Sequence, residues 1–286
     1  MGRGLPGKGV IPQGDTLMGR GLPRKGVIME EKERRVFLCQ DSTEGILSAV
    51  YMAYLSRYGH KYITIQLKDQ WEPSLFCHVT EVAADIEKAE SVARAVMKKI
   101  SPEAWQWVYK ASMAGVPEKA QQIYRFLNLG FSVGKRVCDY LSSEYVLPVY
   151  QLSRKVGRET DKLMGFVRFR ELKSGILFSK ISPKHQQLFF LGEHFADRLP
   201  EENWVIYDQG RRMACVHQAR GPWAVAGDMP LEEERIRHVS PAESDFVDLW
   251  KTFFNHIEIK ERHNPHLQMN MMPKRFWKNM TEMQGF

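Results

Sequence analysis

The sequence predicts an α+β fold with an antiparallel sheet in its C-terminal half. Helix-like and strand-like segments are segregated along the chain and do not alternate as β-α-β units. A hydrophobic fraction of 43% over 286 residues is enough for a sizeable core. The part before residue 165 is helix-rich around a small mixed β unit, and after it the apolar period changes to two, which is typical of strands.

The N-terminal half contains three strand-like runs, at 36–39, 63–67 and 76–82. The capping box Asp41-Ser-Thr-Glu44 opens a helix after the first run, and Gly59 ends it. Further helices are predicted over 86–100, from Ser101, from Pro117 and, as one or two helices, across 135–163. Pro148 favours a break or a kink in the last of these segments.

The C-terminal half begins with a predicted hairpin. Its strands are expected at 166–172 and 175–181, followed by a helix near 185–198 and strands near 203–208, 212–218 and 222–226. The capping box Ser240-Pro-Ala-Glu243 then opens a last helix. Its apolar positions follow a helical period, which predicts a face packed on the core: Phe246, Leu249, Trp250, Phe253, Phe254 and Ile257.

The first 28 residues form a repeat that stands apart from this pattern. Residues 18–28 copy residues 1–11 except that Arg24 replaces Gly7. The repeat suits a basic arm for nucleic acid, a disordered extension, or a stretch translated from an early start codon, with Met1, Met18 and Met29 as possible starts. We expect 1–28 to be a disordered leader that the native protein need not contain. Residues 29–286 are expected to form one domain, within which 29–164 and 165–286 can be subdomains.

Composition limits the classes of protein that the chain can belong to. The net charge is +7, but the leader has five cationic residues and one carboxylate, a net of +4 that leaves +3 for the rest. The four cysteines have no Cys-x-x-Cys spacing, which excludes the usual iron–sulfur and structural zinc frameworks. No uncharged apolar run approaches the ~18 residues of a membrane helix, so we expect a cytoplasmic protein with no membrane partner.

Two groups of cations suggest contacts with phosphate. Arg154, Arg158 and Lys162 recur every four residues, and Arg168 and Arg170 follow on the next predicted strand. This ridge can track a phosphate backbone, or it is a solvated face paired with neighbouring carboxylates. In the tail, residues 257–282, the aromatic residues Phe276 and Trp277 offer a stacking face or a packing contact. The cations around them are Lys274, Arg275 and Lys278. The candidate nucleic-acid contacts are Arg158, Arg168, Arg170, Arg211, Arg212, Arg262, Asn264, Lys274, Arg275 and Trp277.

A weaker pattern suggests acid–base chemistry. Asp208, Arg211, Arg212 and His217 fall at and beyond a predicted hairpin turn, where they either assemble a site or form an ordinary turn with exposed arginines. No phosphate loop, dinucleotide-binding glycine motif, nucleophile elbow or zinc-protease motif occurs, so no cofactor is indicated. His263 and His266 flank Asn264-Pro265 without a carboxylate at ligand spacing, so no metal site is expected either.

Three segments carry a resemblance to a known family. They are Val156-Gly-Arg-Glu-Thr-Asp-Lys-Leu-Met-Gly-Phe-Val-Arg-Phe-Arg-Glu171, Glu261-Arg-His-Asn-Pro-His-Leu-Gln268 and Met272-Pro-Lys-Arg-Phe-Trp277. They resemble a bacterial domain family labelled probable DNA metabolism protein, and the resemblance covers the chain from about Arg35 to its end. It implies a role in DNA repair or modification without an established activity. It also implies an association with a uracil-DNA-glycosylase-family domain, which is fused to the chain in some members, and with a radical SAM protein that carries helix-hairpin-helix elements.

These observations support three hypotheses. The first is a DNA-associated accessory protein that binds phosphates through basic and aromatic residues. The second is a nucleic-acid-processing enzyme that uses Asp208 and His217, and the third is a protein-interaction partner of a radical SAM enzyme. In the family pattern a histidine often stands where this chain has Asp161, so no acid–base role is expected there. We further expect the tail to be an ordered closing segment, packed by Trp277 near Arg168 and Arg170.

Overall fold

The structure is a computed structural model that describes residues 33–73, 75–228, 236, 238–256 and 264–283. Across these residues the strands are β1 (Arg34–Cys39), β2 (Ile63–Leu67), β3 (Cys77–Val82), β4 (Arg170–Glu171), β5 (Leu177–Ile181), β6 (Trp204–Asp208), β7 (Met213–His217) and β8 (Trp223–Ala226). The helices are α1 (Thr43–Leu55), α2 (Ile86–Lys99), α3 (Pro102–Ser112), α4 (Lys119–Val133), α5 (Leu147–Phe166), α6 (Leu188–Arg198), α7 (Pro241–His256), α8 (Pro265–Met271) and α9 (Lys274–Trp277). The α+β prediction is confirmed, whereas the predicted leader, Ile257, Arg262 and His263 lie outside the described residues.

The N-terminal sheet has the strand order β2-β1-β3, and both pairs are parallel. Parallel neighbours need a crossover, and α1 supplies it between β1 and β2. Ser42 caps α1 because its side-chain oxygen accepts a hydrogen bond from Gly45 N at 2.9 Å. Ser101 caps α3 in the same way, as the sequence predicts. Both predicted helix starts therefore follow from local chemistry.

The C-terminal sheet has the order β4-β5-β6-β7-β8. Its pairs are antiparallel except that β5 and β6 run parallel, with α6 between them in the chain. The predicted first strand at 166–172 is largely wrong, because α5 continues through Phe166 and Val167 N still donates to Leu163 O at 2.9 Å. Leu163 and Val167 are both buried, so helical packing outweighs the strand-like pattern. Pro148 lies in the first turn of α5 and begins that helix, where the prediction was a break or kink.

Two large apolar clusters form the core. The first joins residues between Phe37 and Val156 and holds β1, β2 and the first helices. The second begins at Leu163 and includes three residues of the tail, Phe276, Met280 and Met283. The described part of the tail, residues 264–283, therefore contributes to the core. Phe276 is buried, with 5% of its surface exposed, and its ring centroid lies 5.4 Å from that of Phe166.

The apolar face of α7 does not pack on the core, so that prediction is wrong for the residues whose side chains are described. The exposed fractions of Phe246, Leu249, Trp250 and Phe253 are 66%, 65%, 39% and 51%. Polar contacts at its start hold the helix instead. Its capping residues reach the β4 edge, where the carboxylate of Glu243 accepts from the β4 backbone at 2.9 Å. With the helix held at its start, the described residues of its apolar face stay exposed.

Candidate nucleic-acid interface

A cavity of ≈ 570 Å³ lies between β4, β5, α7 and the tail, and we call it the cationic cavity. Its ionisable lining consists of the cations Arg168, Arg170, Lys180, Lys251 and Lys278 and the carboxylates Glu243 and Asp248. These cations come from segments far apart in the sequence, and the fold brings them to one place. An excess of positive charge around one opening attracts anions.

A second cavity of ≈ 500 Å³ lies on the other flank of α7, and we call it the aromatic cavity. Phe169, Phe246 and Trp250 provide its rings. Four residues line both cavities, so the two are neighbours across a shared wall: Arg168, Glu243, Val247 and Thr281. The guanidinium carbon of Arg168 lies 5.6 Å from the centroid of the Trp250 ring, which is within the range of a cation–π contact. Together the two cavities form one cleft beneath α7, the α7 cleft.

Arg168 is fixed in place by the tail. Its Nε and Nη2 donate to the same oxygen of Glu282 at 3.1 and 2.7 Å, and the Glu282 side chain is 1% exposed. Its Nη1 donates to the carbonyls of Gly165 and Val167 at 2.8 and 3.2 Å. The sequence predicts Arg168 on a strand and available to a ligand, but it follows α5 and its charge is paired. It acts as a wall of the α7 cleft.

Arg275 also forms an internal ion pair. Its Nη2 donates at 2.8 Å to the carboxylate of Glu159, whose side chain is 2% exposed. The same carboxylate accepts from the backbone N–H groups of Lys184 and His185 at 3.1 and 2.8 Å. Burial of the His185 ring lowers its pKa below 6.5, and the nearby Glu159 charge opposes that shift. Arg275 therefore ties the tail to α5 and does not line the α7 cleft.

Asp208 and His217 do not share a site. Asp208 is paired with Met213 in the β6–β7 ladder and His217 with Trp204, so they lie at opposite ends of it. The carboxylate of buried Asp208 accepts a hydrogen bond from Arg211 Nη1 at 3.0 Å and another from the backbone N of Arg211. These contacts hold the turn between β6 and β7. The buried His217 ring stacks on Trp204 with centroids 4.9 Å apart, and its Nδ1 bonds the carbonyl of Glu202. Each side chain has a structural partner.

The remaining sequence candidates are scattered. Arg158, Arg212 and Lys274 are exposed. Asn264 caps α8, since its side-chain oxygen accepts from Leu267 N at 3.0 Å. Trp277 is partly buried and its Nε1–H donates to the carbonyl of Met272 at 2.8 Å. The structure thus brings Arg168 and Arg170 together with the tail, but the tail cation at the cationic cavity is Lys278.

Sequence reasoning missed three residues that matter here. Lys180 and Lys251 line the cationic cavity, and Glu282 positions Arg168. Lys251 directly follows Trp250 in the sequence. A cation next to an aromatic residue on a predicted helix could therefore have marked Lys251 as a candidate ligand. No such signal marks Glu282, because it lies 114 positions from Arg168 in the chain.

Two other site classes find no support in the part of the chain that the structure describes. That part contains no cluster of three or more His, Cys, Asp or Glu side chains with the geometry of a metal site. None of its helices is long and apolar enough to span a membrane.

Comparison with known proteins places the chain in a family. No curated protein and no solved structure matches it. One family model matches residues 117–282, a segment that begins just before α4 and includes all the residues named above for the α7 cleft. The strands β1 to β3 and the helices α1 to α3 precede this segment. The chain belongs to DUF4130, a family that is defined as a domain of unknown function.

Proposed function

We propose that the protein binds single-stranded nucleic acid in the α7 cleft. The observation that carries the proposal is the meeting of a cationic and an aromatic cavity at Arg168. Proteins that bind single strands combine a positive groove for the backbone with aromatic side chains on which bases stack. Lys251 and Lys278 would neutralise phosphates, and Trp250 with Phe246 would stack on a base.

The cleft favours a single strand over a duplex. Stacking on Trp250 requires an unpaired base with an exposed face, whereas a duplex keeps its bases stacked and presents only their edges. The aromatic residues also lie on one flank of α7, beside a cavity of nucleotide scale. A strand with splayed bases can place a base on one side of Arg168 and a phosphate on the other.

The biological role that we propose is that of a DNA-associated accessory protein in DNA repair or modification. The resemblance described above supports DNA as the nucleic acid. The proposed activity is binding without bond cleavage, because Asp208 and His217 lie apart and each is held by structural contacts.

The test is fluorescence anisotropy with a labelled short single-stranded DNA and with its duplex. We expect the affinity for the single strand to fall with salt by a slope of about 0.7 per phosphate contacted, and each of Lys251→Gln and Lys278→Gln to lower that slope by about 0.7. Trp250→Ala should weaken binding by about 1–3 kcal/mol. Lys98→Gln, an equal change of charge at an exposed position of α2, is the control.

Equal affinity for the single strand and the duplex would remove the strand preference. Absence of binding at low salt, or equal losses in Lys98→Gln and Lys251→Gln, would remove the α7 cleft as the binding site.

Docking of a partner protein on α7 is a second candidate function. The observation in its favour is the exposed apolar face of the helix, since contiguous exposed apolar surface marks interaction sites. The family resemblance supplies a radical SAM protein as the partner to test. Leu249 and Phe253 are exposed on α7 but line neither cavity of the cleft. Their replacement by serine should abolish docking and leave DNA binding unchanged, whereas Trp250→Ala should reduce DNA binding.

A further inference from the structure

A third cavity lies in the N-terminal part of the fold and is separate from the α7 cleft. Its volume is ≈ 790 Å³, which falls within the range of small-molecule sites. It lies beside the start of β2 and one face of α4. Cations from three elements surround it: Arg34 on β1, Lys61 before β2 and Arg125 on α4, against the single carboxylate Glu144 in its lining. We call it the β2 cavity.

The amide side chains of the β2 cavity are oriented by the protein. The side-chain oxygen of Gln121 accepts from Ile65 N at 2.8 Å, and that of Asn128 accepts from the Tyr54 hydroxyl at 3.5 Å. Both amides line the cavity. Each amide oxygen already accepts one hydrogen bond, and each amino group can donate to a ligand. Donor amides and three cations make the lining suited to a ligand rich in acceptor oxygens.

A buried hydroxyl provides the floor of the β2 cavity. Tyr124 is 1% exposed, and its hydroxyl lies 2.7 Å from Nδ1 of His60, which also lines the cavity. The rings of Tyr54 and His60 are in contact, with centroids 4.6 Å apart. Burial lowers the pKa of His60 and raises that of Tyr124, so both are neutral near pH 7. The ring of His60 is thus held at the cavity wall by two aromatic neighbours.

We propose that the β2 cavity binds a small phosphate ester of nucleotide size. A phosphate monoester has a double negative charge and several acceptor oxygens, which match the three exposed cations and the two amides in the lining. Arg34 and Arg125 contribute the planar donor groups best suited to phosphate, and Tyr124 positions His60. This site is independent of the proposed nucleic-acid binding, because its residues and those of the α7 cleft do not overlap.

Calorimetric titration of the full chain with inorganic phosphate, adenosine monophosphate and adenosine tests the proposal. We expect the nucleotide to bind, inorganic phosphate to bind more weakly and adenosine not to bind. Arg125→Gln should weaken nucleotide binding by about tenfold or more, since a charge-assisted pair is lost. Arg136→Gln should leave it unchanged, because Arg136 is an exposed cation that lines neither the β2 cavity nor the α7 cleft.

A second readout is independent of the charge variants. The nucleotide should shift the NMR signals of the His60 ring, and Tyr124→Phe should move those signals before any ligand is added, because the 2.7 Å contact is lost. Equal binding of adenosine and its monophosphate would overturn the proposal. So would equal affinity in Arg125→Gln and Arg136→Gln, or the absence of heat and of a His60 shift with all three probes.

Discussion

Replacement of Arg275 by methionine should destabilise the fold and leave the intrinsic affinity for DNA unchanged. The substitution leaves the Glu159 carboxylate buried and without its cationic partner. Breaking a buried pair by removing one partner costs about 3–5 kcal/mol. Glu159 keeps its bonds to Lys184 N and His185 N, and the Arg275 side chain is 34% exposed, so the lower end applies. We expect a loss of about 3 kcal/mol, or a fall in Tm of roughly 6–12 °C.

Urea unfolding followed by circular dichroism measures the loss, and Lys274→Met is the matched control. Lys274 is the exposed neighbour, so the same change in charge should alter stability by no more than about 0.5 kcal/mol. Adding Glu159→Gln to Arg275→Met should restore part of the lost stability, because the unpaired charge is removed. The reasoning is refuted if Arg275→Met unfolds like the wild type and yet loses its affinity for single-stranded DNA.

Two further predictions concern pH and packing. Burial lowers the pKa of His185, so the folded state binds protons less readily than the unfolded state; stability should therefore fall as pH falls below 6.5, and the urea midpoint of His185→Gln should depend less on pH. Protonation of the His185 ring also removes a hydrogen-bond acceptor, because Gly115 N donates to His185 Nδ1 at 3.1 Å. Gly192→Ala should cost about 1–3 kcal/mol, because the new Cβ would lie 2.6 Å from a ring carbon of Trp223. Gly165→Ala, which meets nothing within 4 Å on α5, should instead stabilise by about 0.4–1 kcal/mol in the same assay.

Local chemistry accounts for the elements that sequence patterns predicted well. Ser42, Ser101 and Ser240 each mark a helix start, because a hydroxyl at that position satisfies an otherwise unpaired backbone N–H group. The strands near 203–208, 212–218 and 222–226 were also predicted within a residue or two. What these signals do not encode is pairing. The predicted helix between β1 and β2 suits a parallel pair, but no local signal gives the strand order β2-β1-β3.

Non-local contacts explain the errors. The run from Phe166 to Phe169 alternates like a strand, but packing of Leu163 and Val167 in the second core cluster extends α5. The apolar residues of α7 recur with the helical period that is typical of a buried face. That period shows only that they lie on the same side of the helix. Whether the protein itself covers that side depends on where the helix is anchored, and α7 is anchored by polar contacts at its first turn.

The distribution of arginines and lysines shows why a count of cations is a poor guide to an anion site. The tail and the Arg168 segment look like free phosphate ligands in the sequence, but Arg168 and Arg275 pair with carboxylates that are almost fully buried. A guanidinium suits this task because it stays charged and donates along several directions at once. The pair with Glu282 orders the tail and thereby places Lys278 and Thr281 at the α7 cleft. Arg168 thus contributes to the candidate interface through position, while Lys251 and Lys278 remain to meet the ligand.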